Sequence, residues 1–101
     1  MERAEQIKAF FKNVDEDKRL FAYDAVDEYL LFLDRIEELK RLPFIRVDKK
    51  NPARQELTPA AKLMREYSQA VDAKRKTLLM ILYRVENSAA DQLQELLKGF
   101  E

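Results

Sequence analysis

The sequence predicts an all-α fold, a long antiparallel helical hairpin with a short helix at each end, and three observations carry that expectation. Apolar side chains recur at helical spacing over two long stretches, about 16–41 and 59–86. Breakers are scarce: 101 residues contain one glycine, Gly99, and three prolines, Pro43, Pro52 and Pro59, all three at the boundary between those stretches. Charged residues make up 38% and aliphatics are plentiful, a mixture suited to long helices with few turns. The length fits a single domain, 1–101, with a modest core.

Ile7, Phe10, Phe11 and Val14 recur at i, i+3, i+4 and i+7, the stripe of a short amphipathic helix from about Glu2 to Asn13, within a 1–14 segment. Asp15, Glu16 and Asp17 then suit the positive start of a second helix, 16–41. Ala22, Val26, Tyr29, Leu30 and Leu33 line one of its faces. Phe21, Ala25, Phe32, Ile36 and Leu39 lie round from them as a second stripe, which asks for another neighbour, either the first helix or another subunit. Leu31 alone is stranded on the acidic side.

Pro43 stops this helix and Phe44–Val47 reads as an extended connector, too short for an independent strand. Asn51-Pro52 and Thr58-Pro59 are two successive helix starts, the second the stronger. At most one or two helical turns fit at 52–57, followed by the long third helix at 59–86. Its stripe runs through Ala60, Leu63, Met64, Tyr67, Ala70, Val71, Leu78, Ile81, Leu82 and Val85 and faces the second helix. Leu79, Met80 and Tyr83 add an apolar opposite side, which calls for cover by more than one helix. Asn87 or Ser88 can cap a fourth helix, with Ser88 and Asp91 as a variant capping box and a stripe of Ala89, Ala90, Leu93, Leu96, Leu97 and Phe100 over 88–100.

Composition removes several function classes. Without His or Cys there are no thiolate nucleophiles, no disulfides, and few ligands for transition metals, so no cofactor or metal is expected. Asp24, Asp27, Glu28 and Asp34 would have to converge to hold a hard cation, and a solvated helix face is the simpler reading. No phosphate loop, nucleophile elbow or metal motif occurs, and the expectation is a protein that is not an enzyme. The longest apolar run, Leu78–Tyr83, is far short of a membrane span, and no signal-peptide core opens the chain, so a cytoplasmic location is expected.

The 19 basic and 19 acidic residues cancel, yet they are segregated. Residues 13–39 carry a net charge of −6, and residues 40–54 carry +5. Arg46, Lys49, Lys50 and Arg54 in the connector 42–58 are therefore the leading candidates for contact with DNA or an acidic partner. Lys74, Arg75 and Lys76, with Lys62, Arg65 and Arg84 in line, either form a phosphate-contacting patch or pair with Asp24, Asp27 and Glu28 across the hairpin. The second reading is favoured.

The order of residues resembles a family. Asp27–Leu33 followed by Asp34-Arg35-Ile36-Glu37-Glu38-Leu39, then Leu42-Pro43-Phe44-Ile45-Arg46-Val47, Lys50-Asn51-Pro52, Thr58-Pro59-Ala60-Ala61-Lys62 and Ala89-Ala90-Asp91-Gln92-Leu93, is similar to the small terminase subunits of tailed phages of Gram-positive bacteria. The likeness covers about residues 23–93. It implies a pair of antiparallel helices that builds a homo-oligomer, possibly a ring, with Phe21, Ala25, Phe32, Ile36 and Leu39 between subunits. It also implies partnership with viral duplex DNA and with a large terminase subunit that carries the ATPase and nuclease. The chain departs from the family at its start, where residues 1–13 are too short for a helix-turn-helix DNA-binding domain. A second reading needs no DNA: a helical adaptor that binds a protein through the 88–100 stripe.

Overall fold

The computed structural model describes residues 2–42, 45–47 and 55–101, with the side chains of 45–47 and 55–57 excepted. Helix α1, Arg3–Lys8, runs into a 3-10 turn, Ala9–Phe11, and is followed by α2, Glu16–Leu39, α3, Pro59–Tyr83, and α4, Asn87–Phe100. The all-α hairpin is the architecture observed: α2 and α3 pack antiparallel along most of their length in a body of 61 × 25 × 23 Å.

The ends follow from local chemistry. Asp15 is the extended residue before α2, whose first turn holds Glu16 and Asp17 against the positive end of the helix dipole. Thr58 caps α3: its hydroxyl oxygen accepts from the Ala61 N–H at 3.3 Å, with Pro59 in the first turn. Both long helices stop short of the expected ends, α2 at Leu39 rather than 41 and α3 at Tyr83 rather than 86, each running out into a turn.

Three expectations need correction. The segment 45–47 is not merely extended: Ile45–Val47 pairs antiparallel with Gln55–Leu57, Ile45 opposite Leu57 and Val47 opposite Gln55. Helical turns over 55–57 are therefore replaced by a strand. Thr58, held extended before Pro59, keeps the backbone out of the helical region on that side. The remainder of the proposed turns, 52–54, and the Pro43 stop lie outside the described residues. The Ser88–Asp91 capping box is also absent: Glu86 precedes the first turn, the Ser88 hydroxyl donates to the Glu86 carboxylate at 2.8 Å, and Asp91 accepts from Tyr83 instead. Ser88 lies inside the helix, so its hydroxyl is not placed as an N-cap. Finally, Met80 and Tyr83 are 57% and 45% exposed, so the end of α3 is covered on one side and not all round.

One apolar core joins all four helices. Ile7 and Phe11 from the first segment, Ala22, Val26 and Tyr29 from α2, Leu78 from α3, and Ala90, Leu93 and Leu97 from α4 are wholly enclosed. Phe11→Ala or Leu93→Ala is expected to cost about 2–5 kcal/mol, the range for a large cavity in a closed core, read from urea unfolding. Leu31→Ala, at a side chain 48% exposed, is expected to change stability by about 0.5 kcal/mol or less.

Candidate binding surfaces of the hairpin

The two short helices share one face of the hairpin. Helix α1 lies on the Tyr23, Asp27 and Asp34 side of α2: Arg3 pairs with Asp34 at 3.0 Å, Lys8 pairs with Asp27 at 3.0 Å, and the Lys8 ammonium sits 5.5 Å from the Tyr23 ring centre. Helix α4 lies on the Arg75 and Tyr83 side of α3, where Arg75 meets Glu101 at 2.7 Å and the Tyr83 hydroxyl donates to Asp91 at 3.1 Å. At about 100° per residue these sides point the same way from the antiparallel pair, so α1 and α4 form a second layer on one face.

The second apolar stripe turns the other way, toward a face that no other element covers among the described residues. Its members have unequal surroundings. Ala25 and Leu39 are buried; Ile36 is half-buried; Phe32 is half-buried and stacks on Tyr67 with ring centres 5.7 Å apart; Phe21 is 59% exposed. On α3, Leu63, 39% exposed, and the half-buried Ala70 and Ile81 continue this face. Above the reach of α1 and α4 the opposite side of the hairpin is polar, with Glu37, Glu38, Arg41, Arg65 and Ser68, while the stripe continues unbroken. The apolar side therefore outruns the layer that could have covered it from within the chain.

The proposed DNA-contacting residues divide into three groups. Lys49, Lys50 and Arg54 lie outside the described residues, and only the backbone of Arg46, in the first strand, is described. Lys74 pairs with Glu28 across the hairpin at 2.6 Å, as charge complementarity between the long helices requires, whereas Asp27 is taken by Lys8. Arg75 binds Glu101 and Asp72. Lys76 is exposed, and like Lys62, Arg65 and Arg84 it has no ion pair among the described residues. On α3 and its C-cap, the cations left for an external anion among the described residues are thus these four, rather than the three consecutive ones.

Glu101 was not foreseen from the sequence. The wholly buried Tyr29 donates to its Oε1 at 2.6 Å, and the Arg75 guanidinium donates at 2.7 Å to both Oε1 and Oε2. Burial, then the hydrogen bond to Glu101 and its charge, push the Tyr29 hydroxyl far above its ordinary range. Burial pulls Arg75 down, but Glu101 and Asp72 outweigh it and the guanidinium is raised. The arrangement joins α2, α3 and the end of α4 through one carboxylate. Its only sequence signal was a tyrosine within an aliphatic stripe, which needs a partner for its hydroxyl when enclosed. The acidic residues of α2 do not converge: Asp27 turns to α1, Glu28 to α3 and Asp34 to α1 by way of Arg3. Among the described residues no group of three acidic side chains is placed to hold a metal ion, and no helix is long and apolar enough to cross a membrane.

Comparison with protein-family models, with curated proteins and with solved structures finds no match to this chain.

Tyr29 gives a pH test. The unfolded chain releases the phenolic proton near its ordinary value of 10.0, while the folded chain retains it, so this stabilising contribution is complete below that pH and declines as pH rises through it. Urea unfolding of the wild-type chain is expected to show falling stability above about pH 10, with a shallower fall in Tyr29→Phe. At neutral pH the same variant is expected to lose about 1 kcal/mol.

Proposed function

We propose that the chain is a non-enzymatic small terminase subunit, which associates with itself and assists the recognition and packaging of viral DNA by a large terminase subunit. The observation that carries this reading is an antiparallel hairpin of two long helices joined in sequence by the basic segment 42–58. An apolar face left bare along the hairpin suits self-association. The resemblance of residues 23–93 to small terminase subunits supplies the biological setting. Arg46, Lys49, Lys50 and Arg54 of the sequence segment 42–58, with Lys62 and Arg65 in the first two turns of α3, are the cations this reading gives to duplex DNA.

The adaptor reading draws less support. The stripe it would use is spent within the chain, since Ala90, Leu93 and Leu97 are wholly buried in the chain's own core. Opening α4 to a partner would expose that core.

Binding to duplex DNA is expected to weaken steeply with salt, because each phosphate contact releases condensed counterions. Lys49→Glu with Lys50→Glu is expected to abolish binding at low salt, and Lys62→Glu with Arg65→Glu to weaken it, in a fluorescence anisotropy titration. Lys74→Gln, at a cation already paired within the chain, is expected to change it little. Absence of DNA binding by the wild-type chain at low salt would remove the packaging reading.

A further inference from the structure

We infer that the bare face of the α2–α3 hairpin is the seat of a second copy of this chain, related by a two-fold axis parallel to the long helices so that α2 of each copy lies on α3 of the other. This deepens the self-association in the proposed function and rests on that part of it, but not on DNA or on the large subunit.

The register within the hairpin is set by the Glu28–Lys74 pair and the Phe32–Tyr67 stack. It places Asp17 level with Arg84, and Arg35 level with Glu66. All six charged residues lie toward the bare side of their helices at about 100° per residue. At each of the three levels the α2 residue and the α3 residue have opposite sign. Glu66, Asp17 and Arg84 are exposed and have no ion pair among the described residues.

A two-fold axis along the bundle preserves the level and exchanges the helices. Asp17 of one copy then meets Arg84 of the other, Glu28 meets Lys74, and Arg35 meets Glu66, each twice. Between these charged rims Phe21, Phe32 and Leu63 face their counterparts. The alternative axis, across the helices, sets α2 against α2, where Glu28 would approach the acidic helix of the other copy. Charge complementarity selects the first arrangement, in which every contact between long helices is antiparallel.

The size of the face sets the working concentration. From Phe21 to Ile36 it is about 22 Å long at 1.5 Å per residue. Two helices make it about 20 Å wide, an interface on the order of 450 Å² per chain. That is the small end for a specific pair and calls for a test at about 100 µM.

Sedimentation equilibrium on the full chain, with helicity checked by circular dichroism, decides the matter. The wild-type chain is expected at twice its 12.0 kDa mass at about 100 µM. Phe32→Asp is expected to be monomeric, and Leu31→Asp, on another side of the same helix, to remain paired. Glu28→Lys alone places four positive charges at one level, and Lys74→Glu alone places four negative charges there. Each is expected to weaken the pair at least about tenfold. An equimolar mixture of these two variants is expected to pair again, because only contacts between chains become complementary; the pair within each chain remains broken. A mixture that stays monomeric while the wild type pairs overturns the two-fold arrangement, as does wild-type mass above two chains or single variants that pair as well as wild type. A wild-type chain that stays monomeric overturns self-association as well.

Discussion

Helices α2 and α3 run 24 and 25 residues side by side, whereas α1 and α4 are 6 and 14 residues long, and most of the molecule's organisation depends on that mismatch. Where the short helices lie on the long pair, a closed apolar core forms, with Phe11, Tyr29, Leu93 and Leu97 fully removed from water. Beyond their reach the hairpin continues, among the described residues, as α2 and α3 without a short helix, up to the paired strands 45–47 and 55–57. There, among the described side chains, Leu39 and Ala60 are enclosed, while Leu63 remains accessible. A two-helix arm gains too little burial to hold itself as rigidly as a four-helix section does. Its unspent apolar side is therefore a stability deficit, and it is the side proposed as the seat of a second copy.

Electrostatics divides the same way. Acidic α2 is neutralised by bases from both neighbours, Arg3 and Lys8 on α1 and Lys74 on α3. These pairs are half-exposed, and pairs of this kind contribute little individually to stability. Their effect is on register: Glu28–Lys74 fixes how far α3 slides along α2, and Glu101 fixes the end of α4 against Tyr29 and Arg75. On α3, Lys62, Arg65 and Lys76 are not used in this way among the described residues. The paired Lys74 and Arg75 stand beside the unpaired Lys76, so adjacency in sequence is a poor guide to which cations an external anion would find.

Much of the fold was legible because helical periodicity is a local signal. The stripes of α2, α3 and α4 and the Thr58-Pro59 start could be read directly from spacing and capping chemistry. The strand pairing of 45–47 with 55–57 was not, since each segment is three residues long and its stability comes from a partner across the connector. The capping box failed because its spacing suited a helix beginning two residues later than α4 does. The second stripe was legible as an excess of apolar side chains. Which of its residues remain exposed was not, because that depends on α1 and α4 both lying on the other face. Glu101 was invisible for a similar reason: nothing local marks a carboxylate whose partners are 26 and 72 positions away.

The claim at the centre of this description is that the bare side of the arm is completed by association and not by the chain itself. Amide hydrogen exchange followed as a function of protein concentration tests it most directly, because it reads each segment separately. Protection of 32–39 and 60–70 should rise from low to high micromolar concentration, while protection of 90–97 in the closed core stays constant. Equal protection of the arm at every concentration would contradict the claim, since it would mean that one chain already supplies everything that side requires.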